Sequence, residues 1–180
     1  MKKINGILNK KDIAKLKSSE EILYSGIIYT ARDQAHKRLA EAIKNKTKLP
    51  FDLKGKIIYY CGPTKTPKGK VIGSSGPTTS SRMDGFTPQL LKAGLAAMIG
   101  KGNRSDAVVK AVKERKAVYF LTYAGCGALL SKHVKKNKII AYPDLGPEAI
   151  YELEVENFPL IVGIDSKGHN IYKRTNTNIK

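Results

Sequence analysis

Apolar residues recur along the chain in short stretches with two different spacings. Residues 21–31 and 56–61 are rich in Ile and Tyr, a composition typical of buried strands. Between them, over residues 32–44, apolar side chains return at helical spacing and form a one-sided stripe, which predicts a helix. Strands that alternate with short helices indicate an α/β or α+β domain.

The rest of the chain continues this alternation. Polar and Lys-rich residues 1–20 are expected to form an arm or a short helix, followed by one domain over residues 21–180. Further helices are predicted at 87–95, with Thr87 as N-cap, at 105–115, with Ser105 as N-cap, and at 125–133. Further strands are predicted at 70–73, 96–99, 117–122, 138–142, 149–155, 159–165 and 170–172.

Length and hydropathy limit the classes of protein to which this chain can belong. The chain has 180 residues, of which 41% are hydrophobic, so it can bury a core in one domain of ordinary size. No run approaches the roughly 18 apolar residues of a membrane span. The basic start, residues 1–17, lacks the apolar stretch of a secretory signal. We therefore expect a cytoplasmic protein without membrane contact.

The charge is strongly positive and points to an anionic partner. The sequence has 33 Lys and Arg against 15 Asp and Glu, a formal net charge of +18. Such a field attracts nucleic acid, an acidic protein or a small polyanion, although a Lys-rich thermophilic composition would also produce it. Composition alone favours nucleic acid. However, aromatic residues make up only 7%, Trp is absent, and the lysines are dispersed, so no stacking platform or nucleic-acid-binding motif is visible.

Two cysteines, Cys61 and Cys126, lie far apart in the sequence. An iron–sulfur cluster usually takes four cysteine ligands, so this chain is expected to hold no metal of its own. A disulfide is disfavoured in a reducing compartment. The favoured interpretation is that both are small apolar side chains, and a position near a reaction centre stays open.

Three segments combine cations with small residues in predicted loops. The loop at 73–82 contains Gly, Ser and Thr and ends in Arg82, so its amides and hydroxyls can surround an anion while the guanidinium grips a carboxylate. Arg32 lies between a predicted strand and helix, with His36 one turn later. Lys101 is flanked by glycines in a third such loop. A structural loop or a solvated helix start would explain each segment singly.

These segments, with two others, occur in the order found in one family. They are Arg-Asp-Gln-Ala-His-Lys-Arg (32–38), Cys-Gly-Pro-Thr (61–64), Gly-Pro-Thr-Thr-Ser-Ser-Arg-Met-Asp (76–84), Gly-Lys-Gly-Asn-Arg (100–104) and Tyr-Pro-Asp-Leu-Gly-Pro-Glu-Ala-Ile (142–150). On these motifs the sequence resembles the beta-type catalytic domain of class I fumarases and L-tartrate dehydratases over nearly the whole chain. Ser81 departs from the pattern, since relatives often have Gly there.

The resemblance implies a single-domain swivelling β/β/α fold and a hydro-lyase activity. It also implies a 4Fe-4S cluster held by an alpha-type subunit, hence by another chain, with the active site between the two in a hetero-oligomer such as a heterotetramer. By motif, Arg32, Arg82 and Lys101 would bind carboxylates of a small 2-hydroxy dicarboxylate. Thr78 would be the catalytic base, with Thr79 and His36 as accessory residues.

Other functions stay open at this point. The main alternative class is a basic nucleic-acid-binding module, which the five ordered motifs disfavour. A second is a stand-alone relative that binds an anion without iron. Within the family, fumarate hydratase is preferred to L-tartrate dehydratase only because malate and fumarate belong to central metabolism.

Overall fold

The computed structural model describes residues 1–173. Seven strands form one mixed sheet, in the order β1-β2-β3-β4-β5-β7-β6. The strands are β1 (Lys2–Asn5), β2 (Glu21–Thr30), β3 (Ile57–Tyr59), β4 (Ala97–Gly100), β5 (Val118–Leu121), β6 (Val134–Ala141) and β7 (Ile150–Ile164).

Short helices connect the strands. They are α1 (Lys10–Lys15), α2 (Asp33–Lys44), α3 (Thr87–Lys92), α4 (Asp106–Arg115) and α5 (Gly127–Ser131), with 3₁₀ helices at Ser80–Met83 and Pro143–Glu148. The longest, α2, has 12 residues. Across residues 1–173, no helix is both long and apolar enough to cross a membrane.

The strand pairings close on themselves. β2, β3, β4 and β5 are parallel neighbours, and β7 runs antiparallel to both β5 and β2. β7 therefore joins the two ends of the parallel row, while β1 and β6 extend the sheet from β2 and β7. Because β2 to β5 are parallel, their carboxyl ends lie at one edge of the sheet, and this edge carries the candidate site.

Each parallel strand faces two hydrophobic cores. On β3, Ile57 and Tyr59 point into a core shared with β7 residues such as Phe158. The alternate residues Ile58 and Tyr60 point into a second core, between the strands and helices α2 to α4. Successive side chains of a strand lie on opposite faces, so a run that is buried throughout is the expected sequence of such a strand. The α/β prediction is confirmed as a mixed α/β domain with a sheet-dominated core.

The first twenty residues contain both a strand and a helix. The short helix of the prediction is present as α1, with Asn9 as N-cap. The strand β1 was not predicted, because only Ile4 of its four residues is buried. Ile4, Leu8 and Ile13 lie in the same core as β2.

Several predicted boundaries differ from the structure. The strands predicted at 149–155 and 159–165 form one strand, β7, whose register against β2 shifts at a β-bulge near Asn157, a residue with φ +49°. β6 begins at Val134, earlier than predicted, because its backbone pairs with β7 from Val134 onward, and the exposed lysines at 135 and 136 contact Glu156 and Glu154. The strand prediction at 70–73 is wrong, because this segment is a loop.

The N-cap of α3 differs by one residue from the prediction. Phe86 occupies the N-cap, and the Thr87 hydroxyl instead donates to the Met83 carbonyl at 2.8 Å. The predicted Ser105 cap of α4 is confirmed, with its hydroxyl accepting a hydrogen bond from the Val108 amide. The strand predicted at 170–172 is reduced to one bridge, between Asn170 and Ile164.

Candidate active site

The three cationic segments meet at the carboxyl edge of the parallel strands. Arg32 follows β2 directly, and Lys101 follows β4. The loop at 73–82 crosses the same edge, because the Thr78 amide donates to the carbonyl of Tyr60, just beyond β3, at 2.6 Å. The carboxyl ends of parallel strands are the usual place for a ligand, in open α/β sheets and in closed parallel barrels alike.

Backbone pairing fixes Lys101 beside the Gly/Ser/Thr loop. Thr79 and Lys101 form an isolated parallel bridge. The Ser80 amide donates to the Lys101 carbonyl at 3.0 Å, and the Lys101 amide donates to the Ser80 hydroxyl oxygen at 3.0 Å. Thr78 and Lys101 are half-buried and Thr79 is exposed, so this pairing holds one cation and two hydroxyl residues together at the surface.

The two arginines meet at one carboxylate. Arg82 contacts Asp33 with Nε at 3.0 Å from Oδ1 and Nη2 at 2.9 Å from Oδ2. Arg32 Nε lies 3.8 Å from the same Oδ2. Asp33 is at the first turn of α2 and Arg82 is on the 3₁₀ helix Ser80–Met83, so side chains far apart in sequence are brought together.

A second carboxylate, Glu148, orients Arg32 from the other side. Its Oε1 lies 3.1 Å from Arg32 Nη2, and its Oε2 accepts the Gln34 amide at the start of α2 at 2.8 Å. Sequence reasoning assigned no role in the site to Asp33 or Glu148, although both stand in segments quoted as motifs. The available signal for Asp33 was its position next to Arg32, whereas the segment of Glu148 contains no arginine.

His36 lies behind this surface and is fully buried. Its Nδ1 is 3.0 Å from the Arg32 carbonyl, so the ring donates there and Nε2 is an acceptor. Nε2 has no hydrogen-bond partner among the described residues. Burial lowers the pKa of His36 to about 4, and the ring is therefore neutral near pH 7. The structure places His36 next to the backbone of Arg32 and away from solvent.

Arg104 is a charged residue of this region that sequence reasoning left without a role. Its Nε is 2.6 Å from Asp84 Oδ1 and its Nη2 is 2.7 Å from Thr87 Oγ1. The guanidinium carbon lies 4.9 Å from the ring centre of Tyr119 and 5.3 Å from that of Tyr60. It is buried, unlike the other cations of the edge.

The cysteines do not form a metal site. Cys61 is buried, and burial raises the pKa of its thiol to about 12, whereas Cys126 is exposed. Over residues 1–173, no three His, Cys, Asp or Glu side chains are grouped so that they would hold a metal ion. The described residues therefore offer no ligand set for an iron–sulfur cluster.

The resulting site is cationic. Arg32 and Arg82 contact the carboxylates of Asp33 and Glu148, and the backbone bridge to Thr79 holds Lys101 at the same edge, so these three cations and two carboxylates carry one net positive charge. Guanidinium groups held in one orientation bind carboxylates with paired hydrogen bonds. The fold and site define a mixed α/β domain with a cationic surface at the carboxyl edge of its parallel strands.

Comparison with known proteins gives the family. The sequence model described as "Fumarase C-terminus" matches residues 2–175, and the chain belongs to this family. A Methanocaldococcus jannaschii protein with the provisional name L(+)-tartrate dehydratase subunit beta is 42% identical over 178 residues, which is 96% of this chain and 91% of that protein.

Two Escherichia coli K12 proteins extend the comparison. L(+)-tartrate dehydratase subunit beta is 33% identical over 169 residues, 91% of this chain and 83% of that protein. The aerobic class I fumarate hydratase is 40% identical over 158 residues, 87% of this chain but only 29% of its own length. The chain thus matches a separate subunit in one case and a minor part of a longer enzyme in the other.

Proposed function

We propose that this chain is the beta subunit of a two-subunit hydro-lyase that acts on a small 2-hydroxy dicarboxylate. The observation that carries the proposal is the convergence of Arg32, Arg82 and Lys101 from three separate segments at one sheet edge. Cations placed at one surface can bind the two carboxylates of a small ligand, and this edge supplies three. The names of the relatives support the reaction class.

Two substrates remain candidates. Fumarate hydratase is the preferred one, on the metabolic argument given above, and the 40% identity to the aerobic class I enzyme supports it. L-tartrate dehydratase is supported by the near-full-length match to a subunit with that name. Malate and tartrate differ in the substituent at C3, and a residue that would contact this substituent is not evident at the edge.

The proposal includes a cofactor and a partner that this chain does not supply. A 4Fe-4S cluster would belong to an alpha-type subunit, in a hetero-oligomer such as a heterotetramer in the cytoplasm. The absence of a ligand set among residues 1–173 is compatible with that arrangement. The two-core layering of strands and helices is compatible with the swivelling β/β/α fold that the resemblance implies.

Within this chain, the roles follow from position. Arg32 and Arg82 would hold one substrate carboxylate between them, and Lys101 would hold the other. Thr78, as an alkoxide, would accept the C3 proton at Oγ1 while the double bond forms and the 2-hydroxyl group leaves as hydroxide, for which the cluster of the alpha-type subunit would supply the Lewis acid. Neighbouring cations would favour the alkoxide that a base requires.

The remaining predicted residues would support these groups. Thr79 would hold Lys101 in register through their bridge. His36 would support Arg32 through the bond from its ring to the Arg32 carbonyl. Neither role places the side chain on the substrate.

The test is an anaerobic reconstitution. The chain is mixed with its candidate alpha-type partner, iron and sulfide, and fumarate absorbance is followed after addition of malate, with tartrate in parallel. We expect activity only in the mixture, and the faster substrate identifies the enzyme. An intact complex with no turnover of either acid would contradict the substrate class.

Substitutions then test the residue roles. Thr78→Ala and Arg82→Ala are each expected to remove most activity, on the order of 10²-fold or more, because each removes a group that acts on the reacting ligand. Thr47→Ala and Arg115→Ala, at exposed positions outside the edge, serve as matched controls. Normal turnover in Thr78→Ala would exclude Thr78 as the base.

A further inference from the structure

Arg104 is a buried cation that contacts one carboxylate, one hydroxyl and two aromatic rings. Its side chain is 0% exposed. Nε donates a hydrogen bond to Asp84, and Nη2 donates one to Thr87. Tyr60 and Tyr119 lie against the guanidinium. Its third nitrogen, Nη1, is buried without a hydrogen-bond partner among the described residues.

Helix capping does not account for this arrangement. Burying a guanidinium is costly even when it is paired with a carboxylate. Helix α4, which begins just after Arg104, already has its N-cap in Ser105. In some proteins a buried ion pair selects one arrangement of the segments that it joins.

The partners of Arg104 connect two segments of the site. Asp84 follows the 3₁₀ helix that carries Arg82, and Arg104 itself lies three residues after Lys101. The other oxygen of Asp84 accepts the Ser105 amide at 2.7 Å, which adds a second connection between the same segments. The pair therefore holds the Arg82 segment against the Lys101 segment.

The two tyrosines extend this connection to the backbone of the site. The Tyr119 hydroxyl is 2.9 Å from Ser80 Oγ, the same oxygen that accepts the Lys101 amide. The Tyr60 carbonyl accepts the Thr78 amide. A shift of either ring after loss of the guanidinium would thus move the backbone next to Thr78 or Lys101.

We propose that Arg104 is a positioning residue, which fixes Lys101 relative to the segment of Thr78 and Arg82 without touching the substrate itself. Its consequence for catalysis rests on the proposed function, whereas the placement it enforces is a property of this chain alone. The two can therefore be tested separately.

The first test measures amide hydrogen exchange in the full chain. Arg104→Lys keeps the positive charge beside Asp84 but has one nitrogen in place of the two, Nε and Nη2, that bond Asp84 and Thr87 in the wild type. We expect the Ser80 and Lys101 amides to exchange about tenfold faster or more, the effect of losing one charge-assisted hydrogen bond. The Val118 amide in β5 is expected to be unchanged, and Arg115→Lys on the surface of α4 is the matched control.

Two results would overturn the proposal. One is unchanged exchange at Ser80 and Lys101. The other is equal acceleration at these amides and at Val118, which would mean that Arg104 serves only global stability. If Arg104→Lys does not fold cooperatively, the double variant Arg104→Met with Asp84→Asn, which removes both charges, takes its place with the same criteria.

The second test uses the two-chain enzyme. Misplacement of Lys101 raises KM and lowers kcat, so kcat/KM is expected to fall about tenfold or more in Arg104→Lys. Fewer folded molecules would lower the apparent kcat alone, and that result would contradict a positioning role. If the wild-type mixture has no turnover, the proposed function fails, while the exchange experiment still decides the role of Arg104.

Discussion

Replacing Gly100 by Ala tests the packing beneath the site. Gly100 ends β4, and a Cβ built there would lie 1.9 Å from Ser80 Oγ and 2.9 Å from Tyr60 Cδ2. Both distances are shorter than real carbon contacts, and Ser80 and Tyr60 are fully buried. The methyl group therefore has to displace one or both side chains.

The magnitude follows from what is displaced. Overpacking against the Tyr60 ring costs about 1–3 kcal/mol. Rotation of Ser80 leaves the Lys101 amide without its acceptor, which costs about 1–3 kcal/mol more for a buried donor. The Tyr119 hydroxyl loses little, since the Gly102 carbonyl lies 2.8 Å away as an alternative acceptor. We expect the free energy of unfolding to fall by about 2–6 kcal/mol.

The assay is urea denaturation followed by far-UV circular dichroism. Gly85→Ala is the matched control, because a Cβ there meets nothing within 4 Å, and its unfolding free energy should stay within about 0.5 kcal/mol of wild type. In a Ser80→Ala background, the Ser80 Oγ atom that the new methyl group would meet is absent. The loss in unfolding free energy caused by Gly100→Ala should then be smaller by about 1–2 kcal/mol. A Gly100→Ala protein as stable as wild type, or strictly additive substitutions, would refute the reasoning.

Two further predictions concern ionisation. Burial lowers the pKa of His36 to about 4 in the folded chain, against an ordinary value of 6.5. Between pH 6.5 and 4, His36 is protonated in the unfolded chain but still neutral in the folded one. The free energy of unfolding therefore falls as the pH drops through this range, by up to about 3 kcal/mol. Urea titrations across this range and NMR titration of the ring check this, and a ring midpoint near 6.5 would contradict it. Because burial raises the pKa of Cys61 to about 12, iodoacetamide at pH 8 should label only exposed Cys126 in the native protein, and Cys126→Ser should abolish labelling. Labelling of native Cys126→Ser would show that Cys61 is reactive.

Sequence patterns were sufficient for elements whose burial is local and regular. The Ile- and Tyr-rich run at 21–31 and the apolar stripe at 32–44 identified β2 and α2, because a strand or helix with one buried face repeats its period in the sequence. Ser105 was identified as an N-cap because the cap is a contact between neighbouring residues.

Other features depended on partners distant in sequence. β7 continues through the break near Asn157 because β2 pairs with it on both sides of the bulge. β1 is short and mostly exposed, so its pairing with β2 left no periodic signal.

For the site, the sequence by itself determined which segments carry the cations and the small-residue loop. Those features are contiguous, and they match the motifs of the family. Tertiary structure decided which of them meet. Arg32 and Arg82 contact one carboxylate, Asp33, and Lys101 pairs with Thr79, because parallel strands bring their carboxyl ends to one edge. Arg104 could be assigned only from the structure, since its burial and its pairing with Asp84 result from packing between segments.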